Sequence, residues 1–160
     1  MMVRHVIGRE DGSALVELAL TLPLLVLILA GAVDFARVFY TSIALTSAAR
    51  AGAQYGSNTL AQTGDLTGMQ TTAVNSVNTP GIAAVATRSC QCATNAGAFS
   101  ATSPSANNCT APAATSCPTG HVVITVTVTT SKTFAPLMGN VPGVPSSVNL
   151  SRTATLRAVN

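Results

Sequence analysis

The sequence predicts an α+β protein in which a long N-terminal helix, inserted in a membrane over its first part, carries a small antiparallel β head stapled by disulfides. The stretch from Ser13 to Val33 contains one charged residue, Glu17, among apolar and small side chains. Two later stretches alternate apolar and polar residues, as half-buried strands do. Four cysteines lie between Cys90 and Cys117. These three observations predict the helix, the strands and the staples.

The apolar run is long enough to cross a bilayer once. Its 21 residues span roughly 30 Å as a helix, at about 1.5 Å per residue. Arg4 and Arg9 precede the run, whereas Asp34 and Arg37 follow it as a balanced pair. Asp34 and Arg37 lie one helical turn apart, so we expect them to form an ion pair. Because positive charge is retained on the cytoplasmic side, we expect a cytoplasmic N-terminus and an exported C-terminal part.

Glu17 needs a partner if it lies in the membrane. An ionised carboxylate costs about 2.5 to 3.5 kcal/mol at the centre of a membrane helix and less near its end. Cleavage after Gly12 would free the amine of Ser13 and make Glu17 the fifth residue of the mature chain. An ammonium and a carboxylate, each unfavourable alone in hydrocarbon, compensate each other when they meet. The alternative is that Glu17 reaches the headgroups from the first turn.

The segment that carries this glutamate, Gly12-Ser13-Ala14-Leu15-Val16-Glu17-Leu18, resembles a type IV prepilin processing site. The resemblance implies that residues 1–12 are a cytoplasmic leader, which a membrane-embedded prepilin peptidase removes after Gly12. It also implies that Glu17 acts in assembly by meeting the new amino terminus, Ser13, of a neighbouring subunit.

A longer stretch narrows the resemblance to one family. Residues 9–56 are similar to the TadE-like proteins of tight-adherence (Tad, or Flp-type) pilus systems. The further motifs that carry this similarity are Leu22-Pro23-Leu24-Leu25, Gly31, Asp34-Phe35-Ala36-Arg37 and Ala48-Ala49-Arg50-Ala51-Gly52-Ala53.

Membership in that family would imply a pseudopilin or minor pilin that acts by helix packing in pilus assembly and adhesion. The implied partners are the prepilin peptidase, other Tad pilins or pseudopilins, the inner-membrane assembly platform and the lipid bilayer. The implied location is the bacterial inner membrane, with the C-terminus in the periplasm and with the pilus or cell surface as a destination after assembly.

The helix is expected to continue beyond the membrane and to stop at Gly56. No proline occurs in residues 34–56, and small or apolar residues recur there at spacings of three and four, which marks one packing face. Pro23 lacks an N–H and crowds the preceding turn, so a kink or a melted turn is expected near residues 20–23. Pro23 then has two interpretations. It gives the helix flexibility for leaving the bilayer, or it is a proline that a membrane helix tolerates without a function. The members of the packing face are Val38, Ala44, Leu45, Ala48, Ala49 and Ala53.

These boundaries divide the chain into four parts: the leader (1–12), the transmembrane segment (13–33), the periplasmic extension of the helix (34–56) and a globular α+β head (57–160). In the head we expect a short helix at 68–77, ended by the turn Thr79-Pro80-Gly81. Strands are expected at 82–89, 121–130 and 148–159, with a long loop from Cys90 to Gly120. The last two strands are expected to pair antiparallel and to lay one face on the helix.

The four cysteines predict two disulfides, because they lie on the exported side, where oxidation is permitted. Four cysteines allow three pairings. A bridge between Cys90 and Cys92 would close a tiny strained ring, so each is expected to reach Cys109 or Cys117. A zinc site made by the four thiolates is the alternative, although the spacing lacks a C-x-x-C knuckle.

The composition argues against catalysis and against nucleic-acid binding. Only 8% of the residues are charged, and the net charge of +3 is scattered. The exported part has Asp34 and Asp65 as its acids and His121 as its imidazole, without a G-x-S-x-G element, phosphate loop or metal triad. We therefore expect a protein that is not an enzyme, without cofactor, metal, small-molecule substrate or nucleic-acid partner.

A second function fits the same sequence. The chain would then be a single-pass envelope protein whose disulfide-bonded head binds a ligand or a surface without entering a pilus. A cleavable secretory signal is a further interpretation of the apolar run, although the run exceeds the usual 7 to 15 residues. The mature N-terminus discriminates these interpretations, because a pilin begins at Ser13, whereas the others begin at Met1 or after Ala32.

Overall fold

The computed structural model of the protein describes residues 11–94, 99–100, 109, 117, 120–137, 139 and 145–158. It confirms an α+β fold with a long N-terminal helix. The first ten residues of the expected leader lie outside the described residues. The elements in chain order are α1 (Asp11–Ser57), a 3-10 turn (Gln62–Gly64), α2 (Leu66–Asn75), β1 (Ala83–Thr94), β2 (Phe99–Ser100), β3 (Gly120–Phe134) and β4 (Val148–Arg157).

Helix α1 changes its surroundings along its 47 residues. The large apolar side chains from Leu15 to Leu29 are all more than half exposed, at 51–75%. From Leu45 onward, one face of the helix is buried against the head. That face confirms the core of the predicted packing face, with Leu45, Ala48, Ala49 and Ala53 fully buried and Val38 and Ala44 half-buried.

The helix continues without interruption through Pro23. Proline removes one backbone hydrogen bond, but the turns on either side keep theirs, so the helical path persists. The turn at residues 20–23 is therefore not melted, whereas a kink at Pro23 stays a prediction.

Helix α2 begins and ends where local sequence signals place it. Asp65 precedes the helix and accepts a hydrogen bond from the N–H of Gly68 at 2.8 Å, which makes it an N-cap. Helix α2 lies close to the predicted helix at 68–77. After α2 the chain turns at Pro80-Gly81. Gly81 has a φ of 78°, a left-handed conformation that glycine adopts without steric cost. The predicted short helix and turn are confirmed.

The strands form one antiparallel sheet in the order β2-β1-β3-β4, with the two-residue β2 at one edge. β3 pairs with β4 from Thr125↔Arg157 to Phe134↔Val148, as predicted. β1 pairs with β3 from Ala83↔Ser131 to Thr94↔Gly120. The expectation of a loop from Cys90 to Gly120 was wrong for residues 90–94, because main-chain pairing with β3 continues past the end of the apolar pattern. It was also wrong for residues 99–100, which form β2 and pair with β1.

The core lies between α1, α2 and one face of the sheet. Val126 and Val128 of β3 are fully buried, and they pack with Ala53, Met69, Ala73 and Ala86. These side chains are mostly small, so the core is thin. Its stability therefore needs support from other interactions.

Two disulfides join β1 to the segment before β3. Cys90 is bonded to Cys109 and Cys92 to Cys117, with Cα atoms 5.8 and 5.4 Å apart. The pairing confirms that Cys90 and Cys92 each reach a distant cysteine. Because Cys90 and Cys92 both lie on β1, an inner strand, the bridges attach Cys109 and Cys117 directly to the sheet.

Candidate functional site

The expected cleavage site lies in the first turn of α1. Gly12 and Ser13 are exposed, and a Cβ atom added at Gly12 would meet nothing within 4 Å. The bond between Gly12 and Ser13 is accordingly accessible from outside the chain.

Glu17 lies one helical turn after Ser13, on the same side of α1. Its side chain is exposed and makes no hydrogen bond or ion pair within the described part of the chain. Its neighbours Leu15, Val16, Leu18 and Leu20 are 55–75% exposed. The carboxylate therefore projects from an apolar helix surface that no described residue covers.

The first part of α1 is the one segment, among the described residues, that is long and apolar enough to cross a membrane. The most apolar stretch of 18 residues in this segment has a mean hydropathy of 2.4, and none of that stretch is buried within the protein. An exposed apolar surface of this length has to be covered by lipid or by other helices.

The boundary between the apolar segment and the head is held by Asp34 and Arg37. Arg37 donates to the Asp34 carboxylate at 3.0 Å, which confirms the expected ion pair. The same carboxylate accepts the N–H of Leu137 at 2.9 and 3.1 Å. The Arg37 guanidinium lies 5.1 Å from the ring centroid of Phe134. Sequence reasoning missed Phe134 and Leu137, and the aromatic residue at the end of the alternating β3 pattern was the available signal.

A second polar contact fixes the other end of α1. The hydroxyl of Tyr55 donates to the Asp65 carboxylate at 2.8 Å. The N–H of Gly68 and then this hydroxyl lower the pKa of Asp65 below its ordinary 3.8. The hydrogen bond to Asp65 raises the pKa of Tyr55 above its ordinary 10.0. The pair joins the last turn of α1 to the N-cap of α2.

The titratable groups of the head are not gathered into one place. His121 is the second residue of β3 and is exposed. Within the described residues, no three His, Cys, Asp or Glu side chains are placed to hold a metal ion. The structure brings together an exposed apolar helix, the carboxylate of Glu17 near its start, and the Asp34–Arg37 pair where the helix meets the head.

Comparison with known proteins identifies the same helix. The model of the TadE-like protein family matches residues 12–54. The match begins at Gly12 and ends within the buried part of α1, so it covers the apolar segment and the packing face but not the sheet. The similarity to the TadE-like family therefore lies in this helix. Searches of the curated proteins and of the solved structures found no match to this chain.

Proposed function

We propose that this chain is a TadE-like pseudopilin or minor pilin that is cleaved after Gly12 and acts in Tad (Flp-type) pilus assembly and adhesion. The observation that carries the proposal is the bare apolar half of α1, which begins at the glycine where the family match begins. A helix with this surface and a packed head at its far end is suited to insert in a bilayer and then to pack beside other helices.

The anchored state follows from the length and flanks of the apolar segment. Residues 13–33 span the hydrocarbon layer, and Arg4 and Arg9 remain on the cytoplasmic side. The head then lies in the periplasm, where its two disulfides persist. Removal of the leader by the prepilin peptidase leaves Ser13 as a charged amino terminus at the inner face of the membrane.

Assembly is then governed by Glu17. In a bundle of parallel helices the carboxylate of one subunit pairs with the Ser13 ammonium of a neighbour, because both charges are costly when lipid alone surrounds them. The two groups are four residues apart in the sequence, so this pairing offsets adjacent helices by about 6 Å along their axes. Glu17 thereby sets the axial register between subunits.

A second function is supported by the head, which lies outside the family match. A disulfide-bonded sheet on a single membrane anchor is also the architecture of an envelope protein that binds a surface or ligand without entering a pilus. Sequencing of the mature N-terminus separates the two, because only the pilin begins at Ser13.

The proposal is tested by expressing variants beside the peptidase. Gly12→Ala is expected to abolish the shortened product, because the peptidase requires the glycine before the cut. Glu17→Ala is expected to be cleaved nearly as wild type but to assemble poorly, because its register pair is lost. Cleavage is read by mass of the mature chain, and assembly by recovery in sheared pili or in crosslinked complexes with other pilins.

Gly31→Ala is the matched control for the first variant, since a Cβ at Gly31 also meets nothing within 4 Å. It should be processed normally. A wild-type chain that keeps residues 1–12 and still functions would overturn the proposal, as would a Glu17→Ala chain that assembles fully.

A further inference from the structure

A cavity of about 700 Å³ lies where the head meets the lower part of α1. One wall is α1, with Val33, Ala36 and Arg37. The opposite wall is the end of β3, with Lys132 and Phe134, and Thr79 from the turn after α2 closes the side. The cavity therefore combines apolar side chains on both walls with two charged side chains, Arg37 on α1 and Lys132 on β3.

The charged side chains of this cavity are basic. Lys132 is half-buried and makes no hydrogen bond or ion pair with any described residue. Arg37 uses one N–H for Asp34, and its guanidinium lies over the Phe134 ring. The Asp34 side chain is 14% exposed and already accepts the N–H of Leu137. Its negative charge therefore faces Arg37 and the Leu137 N–H. An anion in the cavity would meet the free Lys132 ammonium and the remaining N–H groups of Arg37.

The position of the cavity along α1 indicates the source of such an anion. Arg37 lies four residues beyond Val33, the end of the apolar run, which is about 6 Å along the helix axis. The headgroup layer on each side of a bilayer is about 5 to 7 Å thick. Phosphate groups of the lipids therefore lie at the level of Arg37 when the apolar run fills the hydrocarbon layer.

The surface beside the cavity is suited to the lipid headgroup layer. Phe35, Phe39 and Tyr40 are 61–73% exposed on α1, and Leu137 is 64% exposed in the turn after β3. Tyrosine is enriched at the membrane–water interface, where its ring lies among headgroups, and phenylalanine inserts at the boundary between headgroups and acyl chains. Exposed aromatic residues at this height support a membrane surface, rather than open solvent, next to the cavity.

We propose that this cavity binds the phosphate of an anionic phospholipid in the leaflet that faces the head. Lys132 and Arg37 would contact the phosphodiester, while Val33 and Ala36 lie against the glycerol and acyl chains. The inference rests on the membrane anchoring given above under the proposed function. Its consequence is that the head is held against the membrane until the lipid is released.

The test uses the full chain in nanodiscs made of equal parts phosphatidylglycerol and phosphatidylcholine. Native mass spectrometry after release counts the lipids that each variant retains. Wild type is expected to retain phosphatidylglycerol in preference to phosphatidylcholine. Lys132→Gln should lower that preference about fivefold, the factor for one lysine beside an anionic surface, and Lys132→Arg should keep it. Hydrogen exchange of β3 in each variant reports whether the head is folded.

Arg50→Gln is the matched control, because it also removes one positive charge, but at an exposed position about 20 Å farther along α1 than Arg37. It should keep the wild-type preference. Equal retention by wild type and Lys132→Gln would overturn the inference, and so would equal losses in Lys132→Gln and Arg50→Gln.

Two further arms separate the possible failures. Inorganic phosphate added to the protein in phosphatidylcholine nanodiscs should not stabilise the head, and a stabilisation that depends on Lys132 would assign the cavity to a soluble anion instead. Insertion and cleavage at Gly12 are measured in the same preparations. A chain that is inserted and cleaved but shows no lipid preference overturns the lipid site alone, whereas failure to insert overturns the anchoring and the lipid site together.

Discussion

Single hydrogen bonds fix the height at which the head sits on α1. The hydroxyl of Thr130 in β3 donates to the carbonyl of Leu45 at 2.8 Å, and both residues are fully buried. Arg152 of β4 donates to the hydroxyl of Ser42. A buried polar group that loses its partner costs more than the bond itself contributes. The contact between Thr130 and Leu45 therefore resists sliding of the sheet along the helix.

The Tyr55–Asp65 contact predicts a defined pH dependence of the head. Because the pKa of Asp65 is lowered on folding, its ionised form stabilises the head above pH 3.8, and this stabilisation is lost as the pH falls through the folded pKa below 3.8. Because the pKa of Tyr55 is raised, its neutral form stabilises the head below pH 10.0, and this is lost as the pH rises through the higher folded value.

Asp65→Asn should remove both effects while retaining an oxygen that caps α2. The pKa of Tyr55, followed by tyrosinate absorbance in a Tyr40→Phe background, should then move down toward 10.0. An unchanged Tyr55 titration in Asp65→Asn would show that the hydrogen bond is not the cause. Wild type and the Tyr40→Phe chain alone provide the reference curves.

The crossing of α1 and α2 depends on glycine. A Cβ atom at Gly52 would lie 2.7 Å from the carbonyl oxygen of Met69 and 2.9 Å from the Cβ of Ala73. Backbone oxygen cannot move aside as the end of a flexible side chain can. The two helices approach this closely only because Gly52 has no side chain.

Gly52→Ala is therefore expected to destabilise the head by about 1–3 kcal/mol, the usual cost of overpacking a tight contact. Hydrogen exchange of β3 peptides under mild denaturant measures the change. Gly31→Ala makes the same change in the same helix at an open position, and it should leave exchange in β3 unaltered. Equal protection in Gly52→Ala and wild type would contradict the close approach of α1 and α2.

Elements with a strong periodic pattern of apolar residues could be predicted from the sequence. Strand segments that depend on pairing with a neighbouring strand could not. α1, α2 and the β3–β4 pair have apolar spacing or alternation along their lengths. Residues 90–94 of β1 have no such pattern, because partners in β3 and two disulfides hold them in the sheet. The sequence indicated the Asp34–Arg37 pair, but the hydrogen bond from the N–H of Leu137 to Asp34 joins residues 103 positions apart and depends on tertiary packing.

Two parts of the chain are stable for different reasons. The apolar half of α1 has no contacts in the head that bury it, so its helix depends on lipid or on neighbouring helices. The head has a thin core of mostly small side chains around Val126 and Val128. Its disulfides therefore supply a large share of its stability.

Removal of the disulfides should consequently unfold the head without releasing the anchor. The bridges join residues 19 and 25 positions apart, and loops of this length correspond to about 3 kcal/mol each in the chain-entropy model. The double variant Cys90→Ser with Cys109→Ser should lose about that amount, and loss of both bridges should leave β3 unprotected against hydrogen exchange in detergent. Membrane extraction at high pH should still recover every variant with the bilayer, because residues 13–33 are unchanged. If the head kept its protection without either bridge, its small core would be sufficient alone, and if the reduced chain left the membrane, anchor and head would have to stabilise each other.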